Sequence, residues 1–481
     1  MSVIQRFHLL HTNDIHSHLE QTSQVYTLVS RYRHEWESNG EPVWMLDIGD
    51  HTDRERMETE GTDGQINNRI LEATQYDLIT LGNNELLTFS KPQLNQLYQD
   101  AGYRVISSNV VHKETRQPPL WIHPRWIEER GGVRFGFLGA TVPYPVVYDL
   151  MGWQVMEPIE ALERQVKQLK GQVDVLIILS HLGLPSDRMM AEKIEGIDLI
   201  LGAHTHHLLE VPEQIGDTWI AGAGKFGRYV GHIWIDYDQT KGQIEQVHGE
   251  CFPTAEELPS SRIDELISEE RRRAKNVLSK RITELAIPLV VNYYEESPLG
   301  NLLADSLRQW TKADIAIVNS GQLLGSLPMG PVTLEQLHQI CPHPINPVLL
   351  RIQGREIYHA LEDSCLQEIV EKEVYGFGFR GKNLGSLCVS GMTIVYDPES
   401  KPRRKICSVQ INGKHLAEDE EIIIATVDMF TFGAGYSQFK KGQVIRYFLP
   451  EFLRDLLAWR LQQTNAISQA VQNRWQTAKD V

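Results

Sequence analysis

No stretch of this chain stays apolar long enough to cross a bilayer. The longest apolar run, near residues 173–179, falls far short of the roughly 20 residues that a membrane helix needs. Positive charge is also short: 47 Lys and Arg stand against 63 Asp and Glu, a net charge of −16. Nucleic acid and anionic membranes are not drawn to such a surface, which argues against both as partners. Cysteine is scarce. Cys251, Cys341, Cys365, Cys388 and Cys407 are odd in number, scattered and without Cys-x-x-Cys spacing. A disulfide framework and a thiolate zinc site are therefore not expected, and reduced thiols in the cytoplasm fit the pattern. The opening MSVIQRFHLL has no apolar core or cleavage signal, so a secretory peptide is not expected there.

What is present is an ordinary globular composition, 41% apolar and 23% charged, over 481 residues. That length predicts two or three domains. Strand patterns at 3–10, 43–48, 77–81, 105–107, 133–138, 173–179, 197–201, 219–221 and 229–235 alternate with helical patterns at 23–38, 64–74, 92–101, 160–169 and 186–194. This alternation predicts an α/β domain with partly parallel sheets, whose sites gather at the carboxyl ends of strands. Residues 257–281 are dense in Glu, Arg and Lys with sparse apolar positions, and predict a solvated connecting helix. Its triplet Arg271 to Arg273 lies among glutamates and is no nucleic-acid patch. A second unit follows, with a helix at 299–310 and strands at 315–319, 348–352, 392–396 and 422–426. Residues 450–478 predict a closing helix or pair of helices. The expected organisation is a first domain over 1–256, a linker helix over 257–282 and a second domain over 283–481.

Five stretches carry chemistry. They are Asp14-Ile15-His16, Gly49-Asp50, Gly82-Asn83-Asn84-Glu85, Ser180-His181 and Gly202-Ala203-His204-Thr205-His206. Each follows an apolar run at a point where glycine or serine permits a sharp turn. Taken singly, each has an ordinary reading: Asp50 as a helix cap, Asn83 as a turn residue, His181 as a core histidine. Together they offer Asp14, His16, Asp50, Asn83, His181, His204 and His206, enough ligands for two metal ions with one bridging carboxylate. Oxygen and nitrogen ligands without sulfur suit Mn, Zn, Fe or Co, with Mn or Zn favoured. Two ions about 3.5–4 Å apart clamp both oxygens of a phosphoester displacement and provide a nucleophilic hydroxide. Such a pair also makes a positive pocket within an acidic protein.

In this order the motifs resemble the binuclear calcineurin-like metallophosphoesterases. HTNDIHSH, GAHTH and the later EESPLGNLLADSL resemble the 5′-nucleotidase branch. The resemblance implies a four-layer α/β/β/α metal-binding domain, then a separate α/β domain that selects substrate. It implies that Asp14, His16, Asp50 and His206 hold one ion, and that Asp50, Asn83, His181 and His204 hold the other. The implied activity is hydrolysis of a nucleotide phosphomonoester. A phosphodiesterase, or a metal-binding protein that has lost turnover, is the alternative.

The departures from the family are specific. Asn84 and Leu87 stand where the family has a phosphate-contacting His and its Asp partner. Asn84 can donate a hydrogen bond to phosphate but carries no proton for transfer. Leu324 replaces a phosphate-contacting arginine, His343 replaces a base-stacking phenylalanine, and Gly433-Ala434-Gly435 lacks the ribose-contacting aspartate. Asn301 and Asn319 are kept, and Phe430 or its neighbour Phe432 stands near the second stacking aromatic. For His343 and Phe430, core packing and base stacking remain open. The physiological substrate, the metal and the oligomeric state are not fixed by these residues.

Overall fold

The computed structural model describes residues 3–479. The chain divides into two compact units, Met1–Ala274 and Lys275–Val481. The division falls within the expected linker, inside the helix Ser261–Leu278. That helix is anchored on the first unit. Ile263 and Ile267 pack with Leu19, Ile66 and Ile70, and Ala274 is buried against Gly61. Glu270 meets Arg69, and Arg271 meets Glu58. The expected solvated connector is therefore corrected: its apolar positions are few, but they share one helical face and bury it.

The first unit is built on two sheets. One runs Gln243–Pro253, Tyr229–Asp238, Ile4–Thr12, Val43–Asp47, Leu78–Thr80, Arg104–Ile106, Ile122–His123. From Ile4–Thr12 onward its pairings are parallel. The other runs Glu213–Ile215, Thr218–Ala221, Leu199–Gly202, Val175–His181, Val133–Thr141, Trp126–Arg130, with a parallel centre. Side-chain alternation decides the layers. Phe7, Leu9, Trp44 and Leu46 share a core with Phe135, Phe137, Ile177 and Leu179 of the other sheet. On the reverse face Leu10, Val43 and Met45 pack with Val25, Leu28 and Val29 of the helix Thr22–Ser38. Leu138, Leu176 and Ile178 pack with Leu162 and Leu169 of the helix Pro158–Leu169 and Met190 of Leu184–Lys193. The result is the expected helix, sheet, sheet, helix order.

The second unit holds a five-stranded sheet in the order Leu387–Ser390, Ile315–Asn319, Glu421–Val427, Pro347–Gln353, Gln443–Tyr447. Leu302, Leu303 and Leu307 of the helix Pro298–Thr311 join its core. The closing run departs from expectation. Helices Leu453–Leu461 and Ala466–Ala470 are followed by a strand, Trp475–Thr477, which pairs in parallel with Met392–Tyr396. Its backbone completes a sheet edge, so these last residues are not helical.

Candidate metal centre

Every ligand candidate in the first unit lies at or just beyond the carboxyl end of a parallel strand. Asp14 and His16 follow Ile4–Thr12, Asp50 follows Val43–Asp47, and Asn83 follows Leu78–Thr80. His181 ends Val175–His181, and His204 and His206 follow Leu199–Gly202. Backbone bonds lace these loops together. Asp14 N–H donates to Gly49 O at 3.1 Å, and His16 N–H to Asp50 O at 2.9 Å. Two glycines permit the approach: a Cβ at Gly82 would stand 2.0 Å from Asp50 Oδ1, and one at Gly49 2.5 Å from Gly82 N.

The side chains converge in two groups, Asp14 with His16 and His206, and Asp50 with His181 and His204, each within 4.8 Å of one another. Asp50 Oδ2 stands 3.4 Å from His181 Nε2 and 3.8 Å from His16 Nε2, which places its carboxylate between the groups. His206 Nε2 lies 3.5 Å from Asp14 Oδ1 and 3.3 Å from His16 Nε2. Asp14, His16, Asp50, His204 and His206 all adopt positive φ, between 47° and 71°. Non-glycine residues rarely do so, and such strain concentrates at functional sites.

The donor set fits divalent ions. His181 Nδ1 bonds to Ile48 O at 2.8 Å, which fixes the tautomer and leaves Nε2 aimed inward. Among the described residues Asn83 Oδ1 is buried without a hydrogen-bond partner, and His181 Nε2 has only the Asp50 carboxylate beside it, at 3.4 Å. Buried polar atoms are rarely left unpaired unless a ligand completes them. Burial raises the Asp14 carboxyl to about 6 against the pull of His181 and His16. Burial also opposes charge on His181 and Asp50, but their mutual attraction outweighs it. It lifts His181 to about 10 and holds Asp50 well below the usual carboxylate range. Burial lowers His204 to about 4 and His206 to about 3.

Supporting residues without a recognisable motif complete the site. Glu85 accepts from the N–H of Asp50, Gly82 and Thr52. One buried carboxylate thereby ties the second and third motifs together. Asp53 Oδ2 lies 3.4 Å from His16 Nδ1. Asn13 bonds Asp14 Oδ2 at 3.1 Å. Only the Gly-Asp and Gly-Asn-Asn settings pointed toward them in the sequence. Asn84 stands beside His16, its Nδ2 2.8 Å from Nδ1, and donates its N–H to Asp50 Oδ1 at 2.8 Å. Leu87 packs with the apolar core beneath. His207 is exposed and turns to Thr205 at 2.8 Å, outside both groups.

In the second unit, the four residues singled out for substrate binding are all buried. His343 lies in the core, stacked on Phe379 with centroids 5.2 Å apart. Phe430 stacks on Phe439 at 5.2 Å. Asn301 Nδ2 donates to Ala470 O at 3.1 Å, and Asn319 Nδ2 to Leu384 O at 2.6 Å. Of the two tasks left open for His343 and Phe430, the structure shows packing. Asn301 and Asn319 brace the backbone. Phe432 instead is exposed, its ring parallel to that of exposed Phe377 within 18° and 6.3 Å away.

A four-layer sandwich with histidines and carboxylates gathered at its strand ends defines a metal-dependent phosphoesterase. The calcineurin-like phosphoesterase family model matches residues 7–208, and that of the 5′-nucleotidase C-terminal domain matches residues 280–441. An uncharacterized metallophosphoesterase of Bacillus subtilis (strain 168), YunD, is 37% identical over 95% of this chain and all of its own. A snake venom 5′-nucleotidase of Crotalus adamanteus is 24% identical over 84% of this chain and 76% of its own. The structure of Haemophilus influenzae NAD nucleotidase shares the fold with a TM-score of 0.68 at 15% identity, covering 99% of this chain and all of its own. The chain belongs to the calcineurin-like metallophosphoesterases, in the branch that carries a 5′-nucleotidase C-terminal domain, and is a phosphoester hydrolase dependent on divalent metal ions.

Proposed function

We propose that this hydrolase acts on the phosphomonoester of a small nucleotide, with two ions held by Asp14, His16, Asp50 and His206 on one side and Asp50, Asn83, His181 and His204 on the other. The observation that carries this reading is the convergence of the two side-chain groups around Asp50. Manganese or zinc suits the mixed carboxylate, amide and imidazole set. When bound, the ions supply Lewis acidity and an activated water.

The chain's own residues do the rest. Asp14 and Asp50 would offset part of the ions' charge and leave the pocket positive, and His181, locked by Ile48 O, keeps its free nitrogen toward them. Asp53, facing Nδ1 of His16, holds that ring with Nε2 toward the ions. Asn84, with no proton to give, orients the phosphate by hydrogen bonding from its amide. The nucleotide assignment is supported by the C-terminal domain match and by relatives named 5′-nucleotidases. Five free thiols support a reducing, cytoplasmic setting.

The test is hydrolysis by the manganese-loaded protein of 5′-AMP, an aryl phosphate monoester and the corresponding diester, with Asp50→Asn as control. Cleavage of AMP that the control loses is expected. Preference for the diester would overturn the monoester reading. Activity on the aryl monoester alone would overturn the nucleotide assignment while keeping the metal centre.

A further inference from the structure

Two cations beside the candidate metal centre have no carboxylate partner among the described residues. They lie on the turn Gly222-Ala223-Gly224-Lys225-Phe226-Gly227-Arg228, which follows the strand Thr218–Ala221. That turn is fixed to the first ligand motif. Asn13 Nδ2 donates to Gly224 O at 2.6 Å, and Asn13 Oδ1 accepts from Ala223 N–H at 3.1 Å. Phe226 N–H donates to Asp14 O at 2.8 Å.

Phe226 adopts φ of 65°, a conformation that bulky L residues seldom take. The strain presents its ring to the metal ligands. The ring lies 3.8 Å from that of His18 and 6.0 Å, edge-on, from that of His16. Lys225 Nζ sits 4.6 Å from the ring centroid, and Arg228 Cζ 5.6 Å. Some exposed cations of this unit pair with carboxylates, as Arg6 does with Asp236, Arg134 with Asp174 and Arg188 with Glu213, while others, such as Arg125, meet only neutral groups. Among the described residues Lys225 and Arg228 form no ion pair. What sets these two apart is their place, on a turn bonded to Asp14 and set edge-on beside the His16 ring, where they can receive an anion held at the metal centre.

We infer that Lys225, backed by Arg228 across the Phe226 ring, binds phosphate oxygens of the substrate. This rests on the phosphomonoester reading, and it supplies a cation where Asn84 offers none. An ammonium suits the task as a mobile point charge with three donors, and the ring holds it near the site when no phosphate is present. A lysine on this turn is better placed than an arginine to follow a phosphate from binding through departure, because it does not lock into a fork.

The experiment uses full-length, manganese-loaded protein and inorganic phosphate as probe. Lys225→Met, Arg228→Met, the double variant and Lys225→Arg are compared with Lys167→Met, a remote surface change. Three quantities are read: phosphate affinity by calorimetry, metal ions per chain, and KM against kcat for an aryl phosphate. Lys225→Met is expected to weaken phosphate binding by about tenfold, one lost charge-assisted bond. KM should rise with it, kcat and metal content should hold, and Lys225→Arg should recover most of the affinity. Unchanged phosphate affinity in the double variant with both metals kept would overturn the assignment. So would a parallel loss of metal that Lys225→Arg does not rescue, since the turn would then be only structural. Inorganic phosphate needs no nucleotide specificity, so failure to cleave AMP would sink the nucleotide reading without touching this one.

Discussion

Asp53 carries no motif, yet its carboxylate stands against the ring nitrogen of His16 that faces away from the other ligand candidates. A carboxylate in that place orients a ligating histidine and raises its basicity, and losing such a partner typically costs about 10–100-fold in metal affinity. Asp53→Ala is therefore expected to weaken metal binding by that order, read by competition with a chelator. An unchanged affinity would leave Asp53 as a loop residue. His181 gives a second expectation, with a definite sign. Asp50 holds its proton on until about pH 10 when only protein groups surround it, whereas a ligating imidazole is neutral. Ion binding must then release a proton, and apparent affinity must fall as pH falls below that value. Calorimetry at pH 7 in two buffers of different ionisation enthalpy checks this: identical apparent heats would mean no proton leaves. The seven ligand candidates were legible because each follows an apolar run that reads as a strand, and strand ends are where such folds place chemistry. The supporting roles of Asp53, Glu85 and Asn13 were not, because a buried side chain that bonds to backbone groups looks in sequence like any turn residue, even where, as with Glu85, it lies within a quoted motif.

At the scale of elements, the same contrast separates strong periodicity from marginal cases. The central strands and the helices of the first unit follow from their apolar patterns. The strand Gln243–Pro253 escaped because it is largely exposed and polar along much of its length. The helix Ser261–Leu278 was read as solvated because its buried face is narrow. Ile267→Ala tests that burial. Removing a side chain packed against Ile66 and Ile70 should cost about 2–4 kcal/mol, seen as a lower melting temperature, and a neutral result would return the helix to solvent. Asp428, which opens the short helix Asp428–Thr431, offers a pH-dependent test. Burial pushes its carboxyl up to about 7, with Oδ2 bonded to Asn346 N–H at 3.1 Å and Oδ1 unpartnered. The folded state thus holds a proton that the unfolded chain releases near its ordinary value. Stability from this group is full below about pH 4 and is lost as pH rises from there to 7. Asp428→Asn keeps an acceptor without the charge. It is expected to match the native melting temperature at pH 4 and exceed it at pH 8. Equal melting temperatures at both values would show that the carboxyl ionises without penalty.

For the whole molecule, the division of labour is a metal centre built entirely within the first unit and a second unit whose family-like positions have been turned to packing. His343 and Phe430 follow the family spacing, and spacing is all a sequence displays. Whether an aromatic at that spacing faces a ligand or a core depends on its neighbours, here Phe379 and Phe439, brought from distant parts of the chain. Phe432 and Phe377 are exposed in the second unit, as are Tyr294 and Tyr375, and Tyr447 lies parallel to Phe432 at 6.4 Å. Exposed parallel rings lose apolar surface to water unless something stacks on them, and a base is a flat partner worth about 1–3 kcal/mol per stack. If the second unit selects a nucleoside, Phe432 is the exposed ring that stands nearest the expected second stacking aromatic. Phe432→Ala is then expected to raise KM for 5′-AMP about tenfold or more. The KM for an alkyl phosphate, which has nothing to stack, should stay unchanged. Equal effects on both substrates would mean that the ring serves the fold. No effect on either would place base recognition elsewhere, and would leave the metal centre acting on phosphate with little regard for what the phosphate is attached to.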